Sequence, residues 1–324
     1  MKTKTLTKHF GVLFLFFAQY ATAQDFHLSQ YDAAPQYLNP ALTGMYFGDK
    51  HPYRFNANYR SQWKSLGGKA FSTATLGYDM PYKRFGVGGF VINNRAATGG
   101  FNTLNFLLSG AYNIMNDANH KRNLSVGLQM GIFQKSYSSS SLLFDNQYSS
   151  SAGGFDPTIS SGENFSGNSL LRFDANLGIF YMMKDESKNV NPYGGFSIYH
   201  ITQPNESFTS LKNKVPMRFN LNGGINISVS QQVMLSPTFL YMNQARSAEL
   251  NIGALSYYKL KDSEYNLILG FSYRDKDAVI IHTGLKQGAN IYRISYDINT
   301  SYLNTFSKGR GGIEFSVIYT GKSK

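Results

Sequence analysis

Beyond residue 23 this chain holds no apolar run near the roughly 18 residues that a membrane helix needs, yet segment after segment alternates apolar and polar residues with a period of two. Period two is the strand period, which sends successive side chains to opposite faces. Tyr53, Phe55, Ala57 and Tyr59 share one face, and Arg54, Asn56, Asn58 and Arg60 the other. Leu124, Val126, Leu128, Met130 and Ile132 oppose Ser125, Gly127, Gln129 and Gly131. Phe173, Ala175, Leu177, Ile179 and Tyr181 oppose Arg172, Asp174, Asn176 and Gly178, and Tyr292, Ile294, Tyr296 and Ile298 oppose Arg293, Ser295 and Asp297. Helical membrane proteins are excluded, and a chain with 15% aromatics, 15% charged residues and 31 glycines suits a sheet with one greasy face and one wet face.

The parse gives about fourteen strands of roughly ten residues, the length a tilted strand needs to cross a bilayer. Their starts fall near Tyr53, Ala70, Phe85, Leu104, Asn123, Leu170, Pro192, Met217, Gln232, Ala248, Tyr265, Ala278, Asn290 and Gly312. Short connections such as Pro81 to Arg84 and Ser230 to Gln231 alternate with longer ones such as Lys135 to Ser169, Gln203 to Val215 and Asn299 to Arg310. The expected fold is therefore all-β: a transmembrane antiparallel up-and-down β-barrel in the outer membrane, over residues 52–324. An even strand number puts both termini on the periplasmic side and the long loops outside. A soluble β-sandwich also alternates, but it has no reason to alternate its loop lengths. Pro237 breaks the pattern inside Val233 to Tyr241, where it cannot donate to a ladder, so a bulge or kink is expected there.

Ahead of the first strand, Ser29 to Tyr46 is neither helix nor strand by pattern. Pro35 and Pro40 remove two backbone donors, Asn39 before Pro40 is biased to an extended conformation, and Gly44 permits a sharp bend. Residues 24–51 thus read as an irregular arm, periplasmic or plug-like. Residues 1–23 read as a secretory signal peptide: Lys2, Lys4 and Lys8, an apolar run from Phe10 to Ala18, then Ala21-Thr22-Ala23. Of the formal net charge of +12 the leader lysines carry three, leaving +9 on a chain without cysteine. In an exported protein this excess points to outer-membrane lipid and lipopolysaccharide rather than nucleic acid.

With arm, strands and loops in place, the chain resembles the PorP/SprF family of outer-membrane proteins, associated with type IX secretion and gliding motility in Bacteroidota. The resemblance rests on Ser29-Gln30-Tyr31, Leu38-Asn39-Pro40-Ala41 and Gly44 in the arm, and on Tyr59-Arg60-Ser61-Gln62-Trp63 after the first strand. It continues in the runs Gly194 to Pro204, Gly270 to Ile280 and Ile294 to Asn299. Where the family often shows a Ser-His-Glu type run, this chain has Gly311-Gly312-Ile313-Glu314, keeping the Glu without the His. The resemblance implies a non-enzymatic component that assists export, surface attachment or coupling of specific cargo proteins to periplasmic machinery. Its implied partners are type IX secretion components, periplasmic anchoring proteins and secreted surface proteins. The alternative is an outer-membrane diffusion porin for small solutes.

No catalytic, cofactor-binding or metal site is expected. G-x-S-x-G, H-E-x-x-H and Walker motifs are missing, and His200 and His282, each near a strand, are the only obvious bases. Gln30, Tyr31, Asn39, Pro40 and Gly44 in the arm, with Arg60, Gln62 and Trp63, are the candidate partner-binding or plug residues; Trp63 serves as an interfacial anchor or as part of a docking surface. Arg54, Arg172, Asp174, Arg293, Asp297 and Glu314 are the candidate lumen charges, pairing across strands, holding a plug or lining a conduit. A barrel of about fourteen strands leaves interior space that needs an occupant, and the arm or the Ser/Gly-rich loop Lys135 to Ser169 could supply it.

Overall fold

A computed structural model describes residues 25–45, 51–64, 70–96, 100–115, 121–138, 142–151, 153–163, 165 and 167–321. The expected signal peptide lies outside these residues, as does the part of the arm beyond Met45 up to residue 50. The first barrel strands are β1 (Arg54–Gln62), β2 (Phe71–Tyr82), β3 (Phe85–Arg95), β4 (Asn102–Asn113) and β5 (Arg122–Ser136). A two-residue ladder of β6 (Tyr148–Ser149) with β7 (Gly154–Phe155) stands apart in the loop that follows. The wall resumes with β8 (Ser169–Met183), β9 (Val190–Tyr199), β10 (Arg218–Ser228), β11 (Val233–Gln244) and β12 (Ser247–Lys259). It ends with β13 (Tyr265–Arg274), β14 (Ala278–Gln287), β15 (Asn290–Asn299) and β16 (Arg310–Thr320).

Fourteen of these strands close an antiparallel barrel in which each pairs with its neighbour along the chain, β5 with β8 and β1 with β16. Every barrel strand starts within two residues of the position expected from alternation. That accuracy has a physical source: with lipid on one side and a polar lumen on the other, a one-residue slip would turn every side chain to the wrong solvent. On β1, Phe55 and Tyr59 face outward while Asn56, Asn58 and Arg60 are buried within. Apolar packing is correspondingly found inside the barrel, where Leu28, Tyr31, Ala34, Tyr37 and Leu38 of the arm meet Phe90, Ile92, Leu107, Leu240 and Met242 of the wall.

Pro237 corrects one expectation. β11 keeps an unbroken register with β12 through Pro237↔Ala254, and its pairing with β10 has the same register on either side of the proline, so no bulge forms. The ladder to β10 is merely interrupted opposite Ile225 and Asn226, because the ring supplies no N–H on that side. The register shift among the described ladders falls instead between Asp297 and Ile298, where β15 meets β16.

Leu108, in the middle of β4, is 75% exposed. If that surface faces acyl chains, Leu108→Lys should cost about 2–4 kcal/mol in reversible folding into liposomes. In a soluble sandwich the same change at so exposed a site would be nearly neutral. Unfolding titrations of both proteins in vesicles give the difference.

Candidate functional site

The described arm runs the length of the lumen. Asp25 N–H donates to Gln244 Oε1 at 2.8 Å, at the barrel end that carries the long loops. Leu42 O accepts from Arg54 Nη2 at 3.0 Å, at the end with the short turns where β1 begins. Asp25 and Thr320 therefore lie at opposite ends of the barrel; the two chain termini, expected together on the periplasmic side, fall outside the described residues. An even strand count fixes the ends of the sheet alone, and here the arm crosses the barrel once more before β1 begins.

Between those ends the arm is compact. A single helical turn, α1 (Pro35–Leu38), opens on proline, where no N–H is missed, and stops at Asn39 and Pro40. Tight turns Tyr31–Ala33 and Pro40–Leu42 flank it. Asn39 is extended, as the following proline demands, and its Oδ1 accepts from Ala41 N at 2.9 Å. Gly44 bends the chain at φ +63 while its Cα passes the Met80 carbonyl and Gly86, a conformation and a clearance that a side chain would lose.

Three fully buried side-chain amides fix the arm to the wall. Gln30 Nε2 donates to Glu314 O (2.8 Å) and Ser295 Oγ (3.1 Å), Gln36 Nε2 to Tyr78 O and Gly89 O (both 3.2 Å), and Asn39 Nδ2 to Ile179 O (3.0 Å) and Phe196 O (3.2 Å). Ser295 and Glu314 are register partners, as are Tyr78 and Gly89, and Ile179 and Phe196. Each NH₂ group thus straddles one strand joint with its two donors. The wall answers with bonds to arm backbone: Tyr199 Oη to Tyr37 O (2.7 Å), Ser197 Oγ to Leu38 O (3.1 Å), Ser125 Oγ to Ala41 O (2.7 Å), and Gly44 N to Asp79 Oδ2 (2.6 Å). Close approach is possible because Gly127 and Gly178 sit opposite each other on β5 and β8; a Cβ on either would overlap Pro40 and Ala41 or Asn39.

Charge completes the seat. Asp297 Oδ2 accepts from Arg60 Nη2 (2.8 Å) and Arg274 Nη2 (2.7 Å), and the Ser29 hydroxyl donates to the same carboxylate at 2.8 Å. Glu314 accepts from the backbone N–H of Ser29 (2.7 Å) and Gln30 (3.2 Å) and from Arg60 Nη1 (3.4 Å). A second cluster holds the start of the arm: Asp25 Oδ2 meets His200 Nε2 and Arg218 Nη1, both at 2.8 Å, and His200 Nδ1 meets Asp174 at 2.6 Å. Asp32 pairs with Arg293 at 2.8 Å and Arg54 with Asp79 at 2.6 Å. Burial opposes the charge on His200, but Asp25 and Asp174 outweigh it and push the imidazole up to about 10. Burial likewise works against the Asp25 carboxylate, and His200 and Arg218 hold it well below the usual range.

Gln30, Tyr31, Asn39, Pro40 and Gly44 are thus all buried against the wall, so in this state they contact the barrel itself. Arg60 is buried in the cluster and Gln62 accepts from its Nε at 2.9 Å. Trp63, at φ 55, donates its backbone N–H to Gly311 O and sets its ring edge-on to Phe71. Of the candidate lumen charges, Arg54, Asp174, Arg293, Asp297 and Glu314 all contact the arm or its second cluster, whereas Arg172 binds Asn205 O on the loop that follows β9. Sequence reading missed Gln36, Asp79, Tyr199, Arg218 and Arg274. For the four wall residues inward parity was available, and glycine in a strand interior signals a close backbone approach, but neither says what approaches; Gln36, in the irregular arm, has no strand parity to read.

Gly178→Val should leave the barrel assembled and unseat the arm. A cysteine placed at the fully buried Ala34 should then react with maleimide at least tenfold faster, relative to a cysteine at exposed Tyr302, than in the otherwise unchanged chain. Seating should also depend on pH. Because His200 lies above its ordinary value of 6.5, its contribution is complete below pH 6.5 and lost as pH rises through about 10. Asp25, depressed from 3.8, contributes at all pH above that value. The relative labelling of Ala34→Cys should therefore rise between pH 6.5 and 10, and His200→Gln should flatten the rise.

The barrel has counterparts among solved structures. The Pseudomonas putida toluene transporter TodX superposes with a TM-score of 0.51 at 8% identity, over 92% of this chain and 95% of its own. The monoaromatic hydrocarbon channel CymD gives 0.51 at 11% identity, over 90% and 93%. At such identity the likeness shows a shared outer-membrane barrel fold and nothing finer. No curated protein matches the sequence. The family model for the type IX secretion system membrane protein PorP/SprF matches residues 21–319, nearly the whole of the barrel and its arm, and the chain belongs to that family.

Proposed function

We propose that this protein is a plugged, non-enzymatic outer-membrane barrel of type IX secretion, which assists export, surface attachment or coupling of particular cargo proteins by binding them. The observation that carries this reading is the seated arm: its amides, backbone carbonyls and charges are spent on the wall, which is the design of a permanent occupant rather than of a passage. With the long loops on the cell surface, partner contact falls to loops and turns. Tyr302 is 98% exposed and Phe306 73% exposed in the loop after β15, large apolar side chains that suit a protein partner. The diffusion-porin alternative needs an open lumen, which the seated arm opposes. A part in gliding belongs to the same proposal and rests on the family resemblance alone.

The test is a pull-down of the native barrel from outer membranes, beside a variant with Tyr302→Ser and Phe306→Ser, together with planar-bilayer conductance of both. Secretion or surface proteins that co-purify with the unchanged chain and drop at least fivefold in the variant, with near-silent bilayers, support the reading. A barrel that comes out alone and conducts steadily is a porin.

A further inference from the structure

A cavity of about 710 Å³ lies beside the seated arm at the long-loop end of the barrel. Its back wall is apolar: Phe90, Ile92 and Leu107 from β3 and β4, Phe133 from β5, and Tyr37 from the arm. Val215, from the loop after β9, packs on Phe133 and Leu170 and roofs it. That roof is pinned by Lys135 Nζ to Glu206 at 2.7 Å and by the edge-on contact of Tyr137 with Phe208. A volume of this size with apolar walls and a few polar groups is the usual form of a small-molecule site.

The charged residues on its lining decide the class of ligand. Lys135 is paired with Glu206, Asp25 with His200 and Arg218, and His27 with Glu249 at 3.2 Å. Each of these groups already sits beside a group of opposite or complementary charge, and the one unpartnered donor among them, Arg218 Nε, is itself buried, so an entering ion would lose its hydration and have to break an existing pair. Uncharged polar groups differ. Thr103 and Asn105 line the cavity, and neither side chain hydrogen-bonds another described residue. We propose that this cavity binds a small uncharged molecule, apolar over most of its length and carrying one or two hydrogen-bonding groups for Thr103 and Asn105. The inference does not rest on the secretion role, since it uses only the cavity and its lining.

Trp63, the single tryptophan of the chain, lines the cavity and serves as an energy donor. The full-length barrel in nanodiscs is titrated with the uncharged probe N-phenyl-1-naphthylamine, and Trp63-sensitised probe emission is read. The expected result is saturable transfer at one probe per barrel. Asn105→Phe and Ile92→Phe, which fill the cavity from opposite chemistries, should each weaken binding at least tenfold, while Leu108→Phe on the outer face should not. The shift of gel mobility on heating checks that each variant is folded, and Thr103→Phe replaces one that is not. Transfer that grows linearly without saturation marks partition into the bilayer and overturns the proposal. So does equal binding by the filled variants, or equally tight displacement by the anionic probe 8-anilinonaphthalene-1-sulfonate.

Discussion

A lumen enclosed by fourteen strands is too wide for the wall's own side chains to fill, and everything placed in it must have its backbone polar groups satisfied there. The arm meets that demand twice over. Its turns bond internally, as in Ala33 N to Gln30 O and Asn39 N to Pro35 O, and further backbone groups are taken by the wall through Glu314, Asp79, Tyr199, Ser197 and Ser125. An irregular segment rich in proline is suited to this place, because it makes few regular bonds of its own and leaves groups free for the wall to hold.

The ionic clusters act differently from the amides. Removing two charges from water costs about as much as their pairing returns, so buried pairs such as Arg60 with Asp297 add little net stability. They add selectivity of position. Ser29, Asp25 and Asp32 meet separate partners on β15 and β16, at β8 to β10, and on β15, and a shift of the arm by one residue would leave several buried charges unpaired, each costing several kcal/mol, about 3–5 for a broken pair. Apolar contacts of Leu28, Tyr37 and Leu38 supply burial, while the charges allow one register.

Much of the fold was legible because its cause is local. Alternation assigns each side chain to lipid or lumen, and so Asn56, Asn58 and Arg60 on one side and Phe55 and Tyr59 on the other could be read from spacing alone. Gly44 and Asn39 were legible too, since positive φ and a pre-proline extension are written in single residues. The direction in which the arm crosses the lumen was not, for no spacing tells an irregular segment which mouth its far end occupies. Nor did the sequence announce that Gly127 faces Gly178, because that requires the register across a loop of more than thirty residues between β5 and β8. The break at Pro237 was placed correctly, but of the bulge or kink expected there the bulge is absent: a missing donor interrupts one ladder without needing an extra residue.

The sequence runs on which the family resemblance rests acquire a common meaning in three dimensions. Ser29-Gln30 and Asn39-Pro40 belong to the arm; Gly195, Ser197, Tyr199 and His200 lie in the run from Gly194, Arg274 in the run from Gly270, and Ser295 and Asp297 in the run from Ile294. All of them touch across the arm and its seat. In this structure these runs meet where the arm packs on the wall. On the proposed cargo-binding role, the surface left for a partner lies where the seat is not, in the loops at the long-loop end, where exposed Tyr302 and Phe306 take no part in holding the arm.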